Sequence, residues 1–290
     1  MSTTPPPIEE QVRALEQGRA FVDRSAFRLL AVAGDDALTW LNDLVTAGVE
    51  QLGDSRAIRS LLLTPTGRIR ADFHIVRTGE TELLLIQDPS QPVALDEILA
   101  PYVLSSRVDL RAAEDLIVLC LPGRDRAPND LPAFRPSMLG EGLDVLLSRA
   151  RLDEARAALD AELEEAGEAA VDAWRIRRGL ARFGPDLDEN SLPAEAGLET
   201  LIDFTKGCFL GQESIAKIRN LGHPPRVVLA LRASGPVRAG EAVLAGGIEV
   251  GRVTSVSTIG SATTLIALVT WDARSAELST ASDGALIRSD

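Results

Sequence analysis

The chain has 290 residues, 45% of them hydrophobic and 25% charged, which is enough to bury a core and long enough for two domains. Forty-three acidic against thirty basic side chains leave a net charge of −13, which disfavours general binding to nucleic acid or to an anionic membrane surface. The start, Met1–Pro7, lacks the basic and apolar segments of a signal peptide, and the longest apolar runs, Leu83–Ile86 and Leu116–Leu121, are of core-strand length. Cys120 lies in an apolar run and Cys208 between glycines, so no disulfide framework is expected and the cytoplasm is the natural setting.

After the Pro5-Pro6-Pro7 tail, Ile8, Val12, Leu15 and Ala20 predict an amphipathic helix over Ile8–Phe21. Phe27–Val32 reads as a strand. Gly34-Asp35 turns the chain, with aspartates placed to cap a helix over Ala37–Val45 whose Trp40, Leu41 and Leu44 share one face. Arg59–Thr64 and Arg68–Val76 are strands joined by the hairpin turn Thr64-Pro65-Thr66-Gly67, and Glu82–Gln87 is a third strand. A helix over Pro92–Leu104 precedes strands at Arg107–Arg111 and Leu116–Leu121. A proline-rich surface loop, Pro122–Pro136, leads to a strand at Leu143–Leu147 and to helices over Arg151–Ala166 and Val171–Arg178.

Regular patterning fades between Phe183 and Thr205, with a polar loop at Asp186–Pro193. A helical period returns over Gln212–Leu221 and is stopped by Gly222-His223-Pro224-Pro225. Beyond Pro225, glycine-punctuated strands at Arg226–Arg232, Ala242–Leu244, Val250–Val256 and Leu265–Trp271 indicate a small antiparallel barrel. The expected organisation is a tail and helix over 1–20, a main domain over 21–224 and the barrel over 225–290.

The segment richest in chemistry is Lys206-Gly207-Cys208-Phe209-Leu210-Gly211-Gln212-Glu213. Its two glycines open backbone conformations closed to other residues. Cys208 precedes a helix start, whose dipole and free N–H groups favour a thiolate, and Lys206 adds a positive charge two residues away. A free cysteine is more often a small, inert core residue. The coincidence of lysine, paired glycines and helix start favours the reactive reading for Cys208, while Cys120, at the end of an apolar run without charged neighbours, reads as core. Trp40 and Trp174 also read as core. His74 and His223 are accompanied by no cysteine or acid cluster, so no metal site is expected.

The octapeptide resembles the K-G-C-[YF]-x-G-Q-E signature of the YgfZ-type folate-binding proteins, relatives of the glycine-cleavage T-protein. Arg178-Gly179-Leu180, Phe183-Gly184 and Leu192–Leu198 follow that family's order. Val32–Ala37, and Leu61–Thr64 with Gly67-Arg68-Ile69, are similar to its first lobe. The resemblance runs from about Phe27 to Val256. It implies an α+β, T-protein-like three-lobed folate-binding fold with a small C-terminal antiparallel β-barrel. It further implies a tetrahydrofolate-binding accessory protein that supports iron–sulfur cluster assembly or repair through Cys208, with iron–sulfur proteins or their assembly factors as partners.

On that pattern Cys208 and Lys206 carry the chemistry, Gly207, Gly211, Gln212 and Glu213 shape the loop, and Asp72, Arg177 and Glu195 contact folate. Asp72 reads equally well as a strand ion pair, Glu195 taken alone as a solvated loop acid, and Glu213 as an acid favoured by the helix dipole. Arg175, Arg177 and Arg178 form a basic cluster that either faces solvent or meets an anionic glutamate tail. True aminomethyltransferases place a pterin-binding glutamate where this chain has Arg177, and a guanidinium only donates hydrogen bonds. A folate-dependent aminomethyl- or methyltransferase is therefore the alternative, and a scaffold in which Cys208 is structural is the third reading.

Overall fold

The computed structural model describes residues 5–128, 131–282 and 285–288. Residues 1–4 of the expected tail and Asn129-Asp130 of the proline-rich loop lie outside the described residues. In chain order the helices are α1 (Ile8–Glu16), α2 (Ala37–Leu44), α3 (Leu95–Leu99), α4 (Leu152–Asp160), α5 (Glu168–Arg177) and α6 (Gln212–Leu221). The strands run β1 (Ala20–Asp23), β2 (Arg28–Ala33), β3 (Ala57–Leu63), β4 (Ile69–Gly79), β5 (Glu82–Gln87), β6 (Asp109–Ala112), β7 (Leu116–Pro122) and β8 (Ala133–Phe134). They continue with β9 (Gly142–Ser148), β10 (Glu164–Glu165), β11 (Arg226–Ala233), β12 (Ala242–Ala245), β13 (Ile248–Ile259), β14 (Ala262–Thr270), β15 (Leu278–Thr280) and β16 (Ala285–Arg288).

The architecture is α+β with three sheets. The first has the order β3-β4-β5-β2-β6, the second β10-β1-β7-β9-β8, and the third closes as a barrel, β11-β14-β13-β12-β15-β16. β16 pairs back onto β11, with Leu231 opposite Arg288. Barrel residues Val243, Val253, Leu265, Ala267 and Val269 are fully buried, so alternate positions of short strands fill the interior. The expected barrel is thus present, and β15 and β16, too short to show a pattern in the sequence, complete it.

β5 shows why the first sheet organises the molecule. Its run of apolar residues is buried on both faces: Leu83 and Leu85 join one core with Phe73 and Ile75 of β4, while Leu84 and Ile86 join another with Val76 and Trp174. The even-numbered residues of β4 therefore face α5 and the second sheet.

Three expected helices fall short, the one over Pro92–Leu104 being α-helical only over Leu95–Leu99. Gly18, with φ +64°, stops α1, and Ala20 and Phe21 become β1. α4 ends at Asp160 because Glu164 and Glu165 pair in parallel with Ala20 and Phe21. Asp35 and Asp36 do not cap α2: both carboxylates turn to Arg107, which lies 2.8 Å from Asp35 and 3.0 Å from Asp36. The Thr64–Gly67 hairpin turn forms as expected, with Gly67 N–H donating to Thr64 O at 2.9 Å. Among the described residues, no helix is long and apolar enough to cross a membrane.

Candidate functional site

β4 alternation puts Asp72 and His74 on one face, and the β3–β4 register sets Arg59 directly opposite His74 and diagonal to Asp72. The Arg59 guanidinium grips Asp72 with both arms, at 2.9 Å to Oδ1 and 2.5 Å to Oδ2. Gln91 fixes the Asp72 backbone, its amide donating to the carbonyl at 2.5 Å and its oxygen accepting from the N–H at 3.1 Å.

This face forms one wall of a cavity of about 570 Å³. The second wall is α5 and the segment after it, through Trp174, Arg175 and Arg182. The third is the loop from Pro136 to Glu141.

Ion pairs and hydrogen bonds, some over long sequence separations, lock these walls together. Arg182 holds Asp88 at 2.7 and 3.0 Å across 94 positions. Arg175, buried on α5, donates to Asp172 and Asp186 at 2.6 Å each and to Ser255 of β13 at 3.0 Å, which ties the cavity to the barrel. Arg24 pairs with Glu168. Burial works against both the Asp88 carboxylate and the Arg182 guanidinium. Their mutual bond overrides it, leaving the first below and the second above its ordinary value.

His74 is pushed down to about 4, first by burial and then by the Arg59 charge, against the pull of Asp72, so it is neutral at pH 7. The Trp174 indole N–H is buried without a partner in the described structure. The hollow is mostly apolar with a few fixed polar groups and falls inside the roughly 300–1,000 Å³ range of small-molecule sites.

Lys206, Cys208 and their glycines lie on a separate loop leading into α6. Gly207 has φ +107° and Gly211 φ +85°. A Cβ on Gly211 would stand 2.5 Å from the Thr64 carbonyl oxygen, so the loop reaches the β3–β4 hairpin only because that residue is glycine. Phe209 is buried beneath the loop and Cys208 is exposed on it.

The Lys206 ammonium donates to the Asn42 carbonyl and lies 5.5 Å over the Phe209 ring. Burial pushes it down to about 8, although Asp43, Asp203 and Glu50 pull the other way. Glu213 is exposed and paired with Lys217 at 2.7 Å, and the Gln212 backbone N–H donates to Phe209 O at 3.2 Å. Lys206 lines a second cavity of about 620 Å³ with Asn42, Glu50 and Asp203. Arg59 and Pro136 line both cavities, so the two hollows meet there.

Of the residues expected to contact folate, the structure brings only Asp72 to the first cavity. Arg177 is exposed and sits 3.6 Å from Glu16. Two residues along a helix are about 200° of rotation apart, so Arg175 enters the cavity and Arg177 faces away. Glu195 is neither a solvated acid nor a cavity residue: it is 1% exposed, and Arg226 of β11 grips it at 2.9 Å through both oxygens. It pins the 193–196 turn to the barrel.

Cys120 is core, as expected, and so is Trp40, whose indole donates to Tyr102 O at 2.9 Å. The sequence reading missed Arg24, Asp88 and Arg182. The Asp72-x-His74 alternation within a strand was a legible signal for His74, whereas nothing local announces the Asp88–Arg182 pair. Among the described residues no three His, Cys, Asp or Glu side chains gather to hold a metal ion.

The cavity is walled by the β3–β4 face, by α5 with the segment after it and by the 136–141 loop, and a closed barrel is bonded to its edge, in an α+β architecture. Residues 2–115 match the family described as the GCVT N-terminal domain. Over 272 residues the chain is 25% identical to an aminomethyltransferase of Alcanivorax borkumensis, covering 85% of this chain and 76% of that protein. Over 277 residues it is 27% identical to an aminomethyltransferase of Thermosynechococcus vestitus, covering 86% and 75%. The crystal structure of the glycine cleavage system aminomethyltransferase T from Bartonella henselae superposes with a TM-score of 0.80 at 20% identity, covering 96% of this chain and 87% of that one. The fold is that of the aminomethyltransferase T structure.

Proposed function

We propose that this chain is a tetrahydrofolate-binding accessory protein of the YgfZ type, acting in the cytoplasm in iron–sulfur cluster assembly or repair through Cys208. The observation that carries the folate reading is the cavity of about 570 Å³, largely apolar, with the Asp72–Arg59 pair, a neutral His74 and the Trp174 N–H at its walls. Asp72 and His74 would meet the polar edge of the ring system, while Trp174 and its apolar neighbours would enclose it. Bound folate would supply a one-carbon unit. In this reading the folate-binding domain is 21–224 and the barrel 225–290.

The cysteine part of the reading rests on exposure. Cys208 stands on a glycine-shaped loop at the start of α6, open to a partner protein. There the thiol would meet a one-carbon unit or a cluster intermediate of an iron–sulfur partner. Lys206 and Gln212 would adjust the loop rather than touch the sulfur, since the Lys206 ammonium is held by Asn42.

Calorimetric titration of the purified chain with tetrahydrofolate tests the ligand, with micromolar binding expected and no heat at millimolar ligand counting against it. Replacing Cys208 by alanine tests the thiol: cells lacking the protein should lose iron–sulfur enzyme activity when given C208A in place of the natural chain. Full restoration by C208A would leave Cys208 a structural residue on a binding scaffold.

A second reading, a folate-dependent aminomethyl- or methyltransferase, is favoured by the relatives named aminomethyltransferases. Both Asp72 oxygens are engaged by Arg59, so a substrate would have to share or displace that ion pair to reach them. Turnover with a lipoyl-bound aminomethyl donor and tetrahydrofolate would decide for this alternative.

A further inference from the structure

The loop from Pro136 to Glu141 forms one whole wall of the first cavity, yet it contains no regular element beyond the tight turn Ser137–Gly140, bridged at 3.0 Å. Its anchor lies behind it, in the second sheet. Asp144 on β9 is fully buried; its Oδ1 accepts the Ser137 hydroxyl at 2.5 Å and its Oδ2 the Met138 N–H at 2.7 Å. The Ser137 oxygen in turn accepts the Leu139 N–H at 3.2 Å. One carboxylate thus sets the path of three consecutive residues that face the cavity.

The groups facing Asp144 come from every neighbouring element. Cys120 on β7 donates its thiol hydrogen bond to the carboxylate, and the Arg24 charge, just past β1, acts on both. Arg24 is itself a cavity-wall residue, and its other partner is Glu168 of α5.

We propose that Asp144 is the positioning residue of this cavity, and that its charge state couples occupancy of the cavity to pH; the second part rests on the reading of the cavity as the ligand site. Burial raises the Asp144 carboxyl to about 6, against the lowering effect of the Ser137, Met138 and Cys120 bonds and of Arg24. Ionised, the carboxylate accepts both loop bonds as charge-assisted hydrogen bonds. Once protonated it must donate one bond itself. It then turns the Ser137 bond around, leaves the Ser137 hydroxyl proton without an acceptor, and weakens the Met138 bond to a neutral one.

The wall is therefore fixed above about pH 6 and loosens below it. A ligand that needs the fixed wall selects the ionised form, so binding near pH 6 releases a proton. Folding stability runs the other way: a carboxyl raised in the folded state favours proton uptake, so its contribution to stability grows as pH falls from about 6 towards 4.

Two measurements on the full chain, on the natural protein and Asp144→Asn, separate the parts. Amide hydrogen exchange over 137–141 at pH 7 should be about tenfold faster in D144N, an effect of one lost charge-assisted bond. Unchanged exchange there would overturn the positioning role whatever the ligand.

Tetrahydrofolate titrations between pH 5 and 8 should show affinity of the natural protein flat above pH 6.5 and about fivefold weaker at pH 5, with D144N weak and pH-independent. Parallel pH profiles would overturn the proton coupling. No binding by the natural protein at any pH would instead overturn the folate reading, and the coupling with it, while the exchange result judged the wall. If D144N does not fold, Ser137→Ala keeps the charge and removes both bonds of the Ser137 hydroxyl, and should speed exchange at Met138 and Leu139 alone.

Discussion

The cavity and the Cys208 loop are built by opposite means. Charged side chains bonded between different elements hold the cavity: Asp88 to Arg182, Arg175 to Asp186 and Ser255, Arg59 to Asp72. Backbone geometry holds the loop, through left-handed Gly207 and Gly211, the close approach of Gly211 to Thr64, and a buried Phe209 beneath. The first design preorganises the walls, which would lower the cost of binding a ligand there. The second lifts a thiol out of the surface while anchoring the residues on either side. Arg59 and Pro136, shared by the two hollows, join the regions physically.

The contrast is broken most severely at Arg175. Its removal leaves Asp186, whose side chain is wholly buried, with an uncompensated charge, and Arg175→Met should cost about 3–5 kcal/mol of stability, read as a shift of the urea midpoint. A loss below 1 kcal/mol would mean that Thr254, Ser255 and the Arg182 N–H hold Asp186 without the guanidinium.

Gly211→Ala attacks the loop instead. It combines a left-handed backbone with a Cβ 2.5 Å from a carbonyl oxygen, and about 2 kcal/mol of destabilisation is expected together with altered Cys208 accessibility to a thiol reagent. Ligand affinity in the cavity should change little, which is the sharper half of the test.

Lys206 offers a smaller, pH-dependent probe. Lys206 and Lys217 are the only lysines in the sequence, so mass spectrometry resolves them readily. Modification of Lys206 by an amine reagent should rise through a midpoint near pH 8, because burial disfavours its charged form. A midpoint above pH 10 would mean the side chain swings into solvent. A depressed folded-state value also means that the cost of burying the ammonium is present below about pH 8 and is relieved as pH climbs toward the unfolded value. The smallest effect is expected at Glu213, exposed and paired with Lys217, where alanine should leave the urea midpoint essentially unmoved.

Much of the fold was legible. The α6 helix has the bounds its periodicity indicates, β5 likewise, and the Thr64–Gly67 turn joins the strands its composition selects. The misreadings cluster where one element competes with a distant one. Ala20 and Phe21 look like the end of a helix until Glu164 and Glu165 arrive to pair with them, and Asp35 and Asp36 look like caps until Arg107 takes them.

The amino-acid sequence by itself determined the barrel, the hairpin and the glycine-bracketed Cys208 loop, because periodicity and backbone permissiveness act within a few residues, while the α+β class came from the family resemblance. Only the tertiary structure decided that Arg175 rather than Arg177 reaches the cavity, that Glu195 is a buried strut, and that Asp144 stands behind a cavity wall. Each of those outcomes depends on a charge finding its counter-charge or a buried bond partner, and no local pattern records where the partner will be.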